Sequence, residues 1–267
     1  MIQHLFHCWS GLNSFYYKLS ISYDGSDFCG FQIQPNKKTI ESELKEALVK
    51  FFGGLVKLRY SGRTDTGVHA SQQIVVAQVN IDRDPMTVMK GVNRYLPQDI
   101  VVLSVSLCDS TFDPRFDAQS RVYSYVFTPD KVPIYLRKYL VAVQFEPMLS
   151  CFHKFSDIIT GTHDFQHVRK KGSNETSTVR TIMSCEMVKD KIKDLYDFDK
   201  LITVYQIKIK ANAFLYRMVR NIVGLYFDLE QNRLTYEDIL QLLLENQHNI
   251  KVKPAPAYGL SLLNVVY

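Results

Sequence analysis

A single carboxylate stands in a run of small and turn-forming residues, SGRTDTGVHA, at residues 61–70. Asp65 follows a fixed cation, Arg63, by two positions, and Gly62 and Gly67 bracket the tip that carries both charges. A carboxylate held ionised beside a guanidinium can serve as a nucleophile in covalent catalysis. An aspartate beside glycine and threonine can also simply cap a turn through its own backbone. The stretch is therefore a candidate catalytic loop, with a plain turn as the alternative.

The triplet Asp65-Thr66-Gly67 also spells the sequence that carries the catalytic aspartate of aspartic proteases. Those enzymes need two such aspartates that share one proton. This chain has one copy of the triplet, and the neighbouring Arg63 would hold Asp65 ionised, which is the wrong arrangement for a shared proton. The sequence therefore disfavours a protease.

A second group of polar residues lies in the otherwise apolar segment KANAFLYRMVRNIVG, at residues 210–224. Four of them recur at i, i+3, i+4 and i+7: Arg217, Arg220, Asn221 and Gly224. This spacing places them on one face of a helix, which we predict at residues 213–229. A solvated face would normally carry more glutamate and lysine, so the stripe indicates an anionic partner.

The elements that must position these residues are predicted from apolar periodicity. Alternation from Tyr17 predicts a first strand, and Thr39 begins an amphipathic helix that ends near Phe52. Further strands are predicted at 56–60, 73–79 and 100–107, with a helix at 85–96. The resulting order, β-α-β-β-α-β, is that of a ferredoxin-like unit, an outline shared with RNA-recognition folds.

A second unit of the same kind is predicted after the polar connection at residues 108–120. Its strands and helices are predicted at 121–127, 148–159, 178–188, 201–209, 213–229, 236–245 and 259–267. We therefore predict an α/β (α+β) fold of two ferredoxin-like halves with mainly antiparallel sheets and a site in the cleft between them. The predicted divisions are an N-terminal extension at 1–14, an N-terminal domain at 15–110 and a C-terminal domain at 111–267.

Bulk properties limit the class of protein. The chain of 267 residues has 46% hydrophobic and 22% charged residues, which is typical of a globular protein and not of a disordered one. Five cysteines without a CxxC pair indicate a reduced cytoplasm. The first residues have the pattern of neither a secretory signal nor a membrane span. A net charge of +5 is compatible with a polyanionic partner.

The stretch SGRTDTGVHA resembles the signature of the tRNA pseudouridine synthase A family, in which a Gly-Arg-Thr-Asp-x-Gly-Val-His core carries the catalytic aspartate. Other strings similar to that family follow in the expected order between residues 17 and 267: YDGSDFCGFQ, NRYLPQDI, FDPRFDAQSRVYSYVF, GTHDF, VRTI, KANAFLYRMVRNIVG and KPAPAYGLSL. So many colinear motifs make a chance match improbable.

The resemblance implies an isomerase that converts uridine to pseudouridine at positions 38, 39 and 40 of tRNA. It further implies a cytoplasmic homodimer that binds the anticodon arm and needs neither a metal nor another cofactor. The alternative is an RNA-binding module of the same fold that has lost turnover. Retention of the whole set Arg63, Asp65, Tyr123 and Arg220 argues against that alternative.

The resemblance also implies roles for single residues. Asp65 is expected to be the nucleophile, attacking either the sugar C1 or the uracil C6. Arg63 would stabilise the carboxylate and help to fill the gap left by the flipped base. Tyr123 would stack on the extruded uracil, and its hydroxyl could take the C5 proton. Arg220 would pair with Asp65 across the cleft and keep it ionised.

Further contacts with the RNA are expected on the same basis. Substrate-binding residues are predicted to be Tyr123, Arg121, Phe31, Gln32, His69, Arg217 and Asn221. Phe31 replaces a tryptophan common in the family and keeps an aromatic ring. Phosphate-binding cations are predicted to be Lys37, Lys38, Arg169, Lys170 and Lys171. His163 and His167 have a spacing that can bind zinc on a helix, but no third ligand is evident and no metal is predicted.

Overall fold

Strands and helices alternate along the chain in the computed structural model, which describes residues 14–170, 176–244 and 250–267. The strands in this part of the chain are β1 (Phe15–Tyr23), β2 (Lys57–Tyr60), β3 (His69–Val79), β4 (Ile100–Leu107), β5 (Ser120–Thr128), β6 (Val141–Ala142), β7 (Gly161–Asp164), β8 (Val179–Lys193), β9 (Leu201–Ala211) and β10 (Leu260–Val266). The helices there are α1 (Ile40–Phe52), α2 (Pro85–Asn93), α3 (Leu149–Ile159), α4 (Met218–Glu230) and α5 (Tyr236–Leu244). The predicted α/β class is confirmed.

The described strands form one sheet in the order β4-β1-β3-β10-β5-β9-β8-β7, with β2 on β3 and β6 on β5. In the first half the chain order β1-α1-β2-β3-α2-β4 gives the spatial order β4-β1-β3-β2, which is the ferredoxin-like arrangement. The order β10-β5-β9-β8 repeats that arrangement, so the last strand of the chain completes the second unit. The two ferredoxin-like halves predicted from periodicity are therefore present.

The two halves join through β3. Its first residues pair in parallel with β10, His69 with Ser261 and Ala70 with Leu262. Its later residues pair with β2 on the same edge, for example Val75 with Tyr60. The loop from β2 to β3 therefore crosses the seam between the halves, and this loop carries Asp65. The division into domains near residue 110 stays a prediction, because β10 belongs to the sheet on both sides of the seam.

Each half has its own apolar core. Leu44 and Leu48 of α1 and Val88 of α2 are fully buried in the first core. Phe152 of α3 and Tyr226 of α4 are buried in the second. Burying a large apolar side chain stabilises the fold by about 1.5–3 kcal/mol. Strand β10 serves both cores: Leu260 lies in the second, whereas Leu262 and Val265 lie in the first.

Several predicted boundaries were wrong. The helix predicted from Ala213 begins at Met218, because Arg217 has φ 62° and ψ 8°, a left-handed conformation that a helix cannot include. Strand β3 begins at His69 instead of Gln73, and the short strands β6 and β7 were missed. Residues 1–13 of the extension predicted at 1–14, and the loop residues 171–175, lie outside the described residues.

Within the residues that the structure describes, no helix combines the length and the apolar character needed to cross a bilayer.

Candidate active site

The loop between β2 and β3 is fixed on both sides of Asp65. The carbonyl of Thr64 accepts a hydrogen bond from the Phe31 N–H at 3.0 Å. The Thr64 hydroxyl is hydrogen-bonded to the Tyr23 hydroxyl at 2.8 Å, in the interior. After the aspartate, the Val68 N–H donates to the Asp65 carbonyl at 3.1 Å and closes a turn. The backbone that carries the carboxylate is therefore held by the first half of the protein.

Gly30 explains why the YDGSDFCGFQ string accompanies the loop. It has φ 85°, a conformation that side chains other than that of glycine rarely adopt. A Cβ at this position would lie 2.9 Å from the Thr64 carbonyl oxygen and 3.2 Å from the Thr66 nitrogen. Only glycine lets the backbone at residue 30 approach the backbone of the Asp65 loop this closely, so this string packs directly against the loop.

Two arginines of the second half converge on one oxygen of Asp65. Arg220 Nη1 lies 2.9 Å from Oδ2 and donates a hydrogen bond to it, and Arg217 Nε lies 3.8 Å from the same atom. The side chains of Asp65 and Arg220 are only 15% and 13% exposed, so water screens this ion pair weakly. Arg220 is oriented in turn, because its Nε donates to the Ala255 carbonyl at 2.8 Å.

The second carboxylate oxygen, Oδ1, accepts no hydrogen bond from any group in the described part of the chain. One oxygen of Asp65 is thus neutralised by cations, and the other is left for a reacting atom. This is the arrangement that a carboxylate nucleophile needs.

The strained backbone of Arg217 belongs to this arrangement. A left-handed conformation costs a residue other than glycine about 1 kcal/mol or more, and it persists only where the surroundings impose it. Arg217 directly precedes α4 and makes no capping hydrogen bond with its side chain. Its guanidinium lies 5.5 Å from the centre of the Tyr216 ring. The strain places a second cation beside Asp65.

The predicted polar stripe on α4 is only half right. Arg217 and Arg220 face Asp65, but Asn221 is buried and donates from Nδ2 to the Val168 carbonyl at 3.0 Å. A Cβ on Gly224 would lie 1.9 Å from the Lys253 carbonyl oxygen, so glycine is needed here for α4 to pack against the backbone at Lys253. The predicted substrate contact of Asn221 is therefore not what the structure shows, because its amide is used to hold the turn after β7.

Tyr123 lies on β5 at the seam, opposite Leu262 of β10 and Ile209 of β9. Its partly exposed ring meets the Phe214 ring edge-on, with 5.1 Å between centroids. Burial of the hydroxyl, and then the negative charge of Asp65, raise the pKa of Tyr123. The hydroxyl therefore stays protonated at neutral pH and lies within the electrostatic reach of the carboxylate.

Arg63 does not pair with Asp65 among the described residues, although the sequence predicted that it would stabilise the carboxylate. The side chain is exposed and lies near the Tyr60 hydroxyl. Burial raises the pKa of Tyr60, and the nearby guanidinium opposes that rise. Charge stabilisation of Asp65 comes instead from Arg217 and Arg220. Arg63 and Asp65 are only two positions apart in the sequence, but their side chains extend toward different partners, so their proximity in the sequence did not produce an ion pair.

His69 was predicted to bind substrate, but it is only 8% exposed and its ring makes structural contacts with backbone groups instead. Its Nε2 lies 3.0 Å from the Lys138 carbonyl and 3.1 Å from the Tyr258 carbonyl, and its Nδ1 accepts a hydrogen bond from the Gly25 N–H at 3.2 Å. Asp24 Oδ1 lies 3.1 Å from the same Nδ1. The ring therefore fastens the end of the Asp65 loop to segments of the second half.

Asp24 adds hydrogen bonds to the same contact between the two halves. Its Oδ2 accepts a hydrogen bond from the Tyr139 hydroxyl at 2.5 Å, and its Oδ1 accepts one from the Ser26 N–H at 2.9 Å. Burial alone would raise the pKa of Asp24, but the hydrogen bonds from Ser26 and Tyr139 hold it below its ordinary value. The hydrogen bond to Asp24 is the main reason that the pKa of Tyr139 is raised to about 12.

Phe31 and Arg121 are also occupied elsewhere. Phe31 is fully buried against the rings of Tyr60 and Tyr23, so the predicted aromatic plate faces the core and not the cleft. The Arg121 guanidinium donates to the carbonyls of Ser61, Ala118, Asn212 and Arg115. Burial lowers the pKa of Arg121. The buried Phe31 ring does not face the cleft, which corrects its predicted contact with substrate, whereas the contact of the partly exposed Arg121 with substrate stays a prediction.

The remaining predicted contacts differ in their exposure to solvent. Gln32 and Arg169 are half-buried, whereas Lys37, Lys38 and Lys170 are exposed. The Lys170 ammonium lies 5.4 Å from the Tyr216 ring, the same ring that Arg217 contacts. Lys171 lies outside the described residues. His163 is on β7 and His167 is in a 3₁₀ turn, so the helical zinc spacing does not occur.

Sequence reasoning gave no role to Tyr23, Thr64, Tyr139 or Ala255. The signal for Tyr23 and Asp24 was present, because both stand in the YDGSDFCGFQ string. Ala255 lies in KPAPAYGLSL, another of the strings noted above. These strings hold the reacting groups in place, which explains why they accompany the loop.

Comparison with known proteins places the chain in a family. A family model described as tRNA pseudouridine synthase matches residues 19–117 and 158–267. Proteins named tRNA pseudouridine synthase A are similar over nearly the whole chain. The one from Limosilactobacillus reuteri (strain DSM 20016) is 33% identical over 255 residues, covering 94% of this chain and 96% of the relative. The one from Thermosipho africanus is 32% identical over 252 residues, covering 94% and 99%.

A third relative, from Listeria welshimeri serovar 6b, is 34% identical over 254 residues, covering 94% of this chain and 98% of the relative. Asp65 and Arg220 both lie inside the ranges that the family model matches, whereas Tyr123 lies between them. The matched ranges thus include the positions of both residues of the ion pair.

Proposed function

The chain belongs to the tRNA pseudouridine synthase family, and we propose that Asp65 is the nucleophile with which it isomerises uridine in the anticodon arm of tRNA. The activity itself is that of an isomerase, a tRNA pseudouridine synthase. The reaction breaks the bond between uracil N1 and the ribose, turns the ring and rejoins it through C5. The C5 proton is lost and N1 gains a proton, so the net change is a rearrangement without oxidation or reduction.

The observation that carries the proposal is the asymmetric binding of the Asp65 carboxylate. Oδ2 is held at 2.9 Å by Arg220 and at 3.8 Å by Arg217, whereas Oδ1 is left without a hydrogen bond from the described residues. The carboxylate is the nucleophilic form of the side chain, and the two guanidinium groups orient it through one oxygen. The free oxygen then forms a covalent bond either to the sugar C1, with cleavage of the C1–N1 bond and release of the uracil anion into the site, or to the uracil C6, with opening of the C5=C6 double bond.

Tyr123 is proposed to contact the extruded uracil. Its ring lies at the seam with one side against Phe214, and its hydroxyl is close enough to Asp65 for the charge to raise its pKa. A protonated phenol can donate a hydrogen bond to a base oxygen, and it can pass a proton from C5 by accepting it as its own proton leaves. The target base must leave the RNA stack to reach this depth.

The cations around the loop are proposed to bind RNA phosphates. Arg63, Lys37 and Lys38 are exposed on the side of the first half, and Lys170 is exposed on the side of the second. Binding by such residues weakens as salt rises, because counterions are released from the RNA. We propose positions 38, 39 and 40 of the anticodon arm as targets, a cytoplasmic location and a homodimer in which one subunit holds the tRNA while the other reacts.

The test uses unmodified tRNA transcripts in which uridine is kept at position 38, 39 or 40 alone. We expect the wild-type chain to form pseudouridine in each of these transcripts, without an added cofactor, and not in a transcript that lacks all three uridines. Asp65→Asn is expected to form none, whereas Asp157→Asn, a control at an exposed aspartate, is expected to match wild type. Binding of tRNA without any pseudouridine would instead favour the RNA-binding module.

The proposed dimer is tested separately by sedimentation, with and without tRNA. A species of twice the 30.9 kDa chain mass is expected. A monomer that forms pseudouridine at full rate would contradict the proposed division of labour between subunits.

A further inference from the structure

Tyr23 is a buried tyrosine on β1 whose hydroxyl reaches the Asp65 loop. The residue is 4% exposed and pairs with Ala70 of β3 on one side and with Ile100 of β4 on the other. Its hydroxyl and that of Thr64 are 2.8 Å apart. Thr64 is 7% exposed, so both ends of this hydrogen bond are withheld from water.

The position of Thr64 in the chain makes this bond consequential. Thr64 directly precedes Asp65, and its other contact, from the Phe31 N–H to its carbonyl, fixes the backbone alone. The hydroxyl bond adds a second point of attachment and removes rotation about the segment that carries the carboxylate. A displacement of about 1 Å between reacting groups can cost about 100-fold in rate.

The Tyr23 hydroxyl also lies near that of Tyr123. Burial raises the pKa of Tyr23, the hydrogen bond with Thr64 opposes that rise, and the charge of Tyr123 adds to it. Both phenols are therefore neutral at neutral pH. Tyr23 thus contacts Thr64, the residue before Asp65, and is itself withdrawn from the cleft.

We propose that Tyr23 is a positioning residue for the isomerisation, whose hydroxyl fixes Thr64 and thereby the direction of the Asp65 carboxylate toward uridine. The proposal rests on the proposed role of Asp65 as nucleophile. It requires the loss of the hydroxyl to affect the reaction and not substrate binding, because no atom of Tyr23 is expected to contact RNA.

Tyr17 provides a matched control on the same strand. It is also buried, and its hydroxyl lies 2.9 Å from Asp82 Oδ1 and 2.7 Å from the Arg83 carbonyl oxygen, in the loop between β3 and α2. Tyr17→Phe and Tyr23→Phe each remove one phenol oxygen from a buried tyrosine on β1; the contacts of the Tyr17 hydroxyl are partly buried and that of the Tyr23 hydroxyl is fully buried. A loss of rate that follows from general destabilisation would appear in both variants.

The experiment measures single-turnover pseudouridine formation, KM for tRNA and urea unfolding for each variant. We expect Tyr23→Phe to lower the rate about 10- to 100-fold while KM stays within about twofold of wild type. Thr64→Val is expected to lose as much. Thr64→Ser, which keeps the hydroxyl, and Tyr17→Phe are expected to keep the rate of wild type within about threefold.

The double variant Tyr23→Phe with Thr64→Val separates positioning from stability. Replacing both partners of a buried hydrogen bond by apolar groups of similar shape can restore stability. We expect the unfolding midpoint to recover toward wild type while the rate stays as low as in either single variant. A recovered rate, additive losses, or a Tyr23→Phe enzyme as fast as Tyr17→Phe would overturn the proposal.

The failure of the proposed function would look different. If Asp65→Asn, measured in parallel, formed pseudouridine at the rate of wild type, the role of Asp65 would be wrong. If Asp65→Asn were inactive while Tyr23→Phe kept the rate of wild type, only the role of Tyr23 would be wrong.

Discussion

The ion pair between Asp65 and Arg220 yields a prediction about stability that does not depend on RNA. At an effective dielectric constant of about 20, charges 2.9 Å apart attract each other by about 6 kcal/mol, and those at 3.8 Å, the distance to Arg217, by about 4 kcal/mol. Desolvation offsets most of this attraction, because both side chains are largely withdrawn from water. A hydrogen bond between charged groups leaves a net of about 1.5–3 kcal/mol.

A double-mutant cycle measures that net value. Asp65→Asn, Arg220→Met and the double variant are unfolded in urea at neutral pH and followed by circular dichroism. We expect each single variant to be destabilised, because it leaves a half-buried charge without its partner. The double variant is expected to be less destabilised than the two singles together, with a coupling free energy of about 2 kcal/mol.

The exposed pair of Lys50 and Glu46, at 2.6 Å on α1, is the control, and no measurable coupling is expected there. Raising the salt to about 1 M should leave the coupling of Asp65 and Arg220 largely intact, because screening acts mainly on exposed charges. If the losses of unfolding free energy in the two single variants simply added up, or if the coupling free energy disappeared in high salt, the ion-pair geometry of the site would be wrong.

Three further changes test the parts that support the loop. Gly30→Ala is expected to lower the free energy of unfolding by about 1–3 kcal/mol more than Gly53→Ala in urea titrations, since both positions are left-handed but only Gly30 abuts the loop backbone; equal losses would contradict the close contact. Asp24→Asn should destabilise the protein at neutral pH by an amount that shrinks as the pH falls below about 4. The lowered pKa of Asp24 contributes stability above its unfolded pKa, and that stability is lost as pH falls through the folded value, so a pH-independent difference between the unfolding midpoints would contradict this. Asn221→Ala is expected to cost about 1–3 kcal/mol by leaving a buried carbonyl without its donor, as measured by thermal unfolding, and a neutral effect would oppose the role assigned to the amide.

The fold could be predicted to a large extent, because each element carries its own periodicity. The helix at 40–52 has apolar positions at helical spacing, a Thr39 cap and a C-terminal Gly53. The start of α4 could not be predicted, since apolar spacing continues through Phe214 and Leu215 while the left-handed turn at Arg217 is imposed from outside the segment. The local sequence pattern does not predict the parallel pairing of β10 with β3 either.

The sequence predicted the pairing of Asp65 with Arg220, but it did not predict the positions of the residues around that pair. Asp65 and Arg220 are separated by 155 residues, so no spacing rule brings them together, and only the resemblance to a family indicated the pair. His69 and Phe31 stand in the motifs that carry the resemblance, but the fold buries both of them. A motif shows which residues are needed, whereas burial decides which of them can reach a substrate.

The central claim is that Asp65 is the nucleophile, and release of tritium from tRNA labelled at uracil C5 tests it most directly. Because the new bond forms at C5, each turnover must release that hydrogen to water. The account predicts release by the wild-type chain and none by Asp65→Asn, with the tRNA still bound by the variant. Release by Asp65→Asn at the rate of wild type would contradict it.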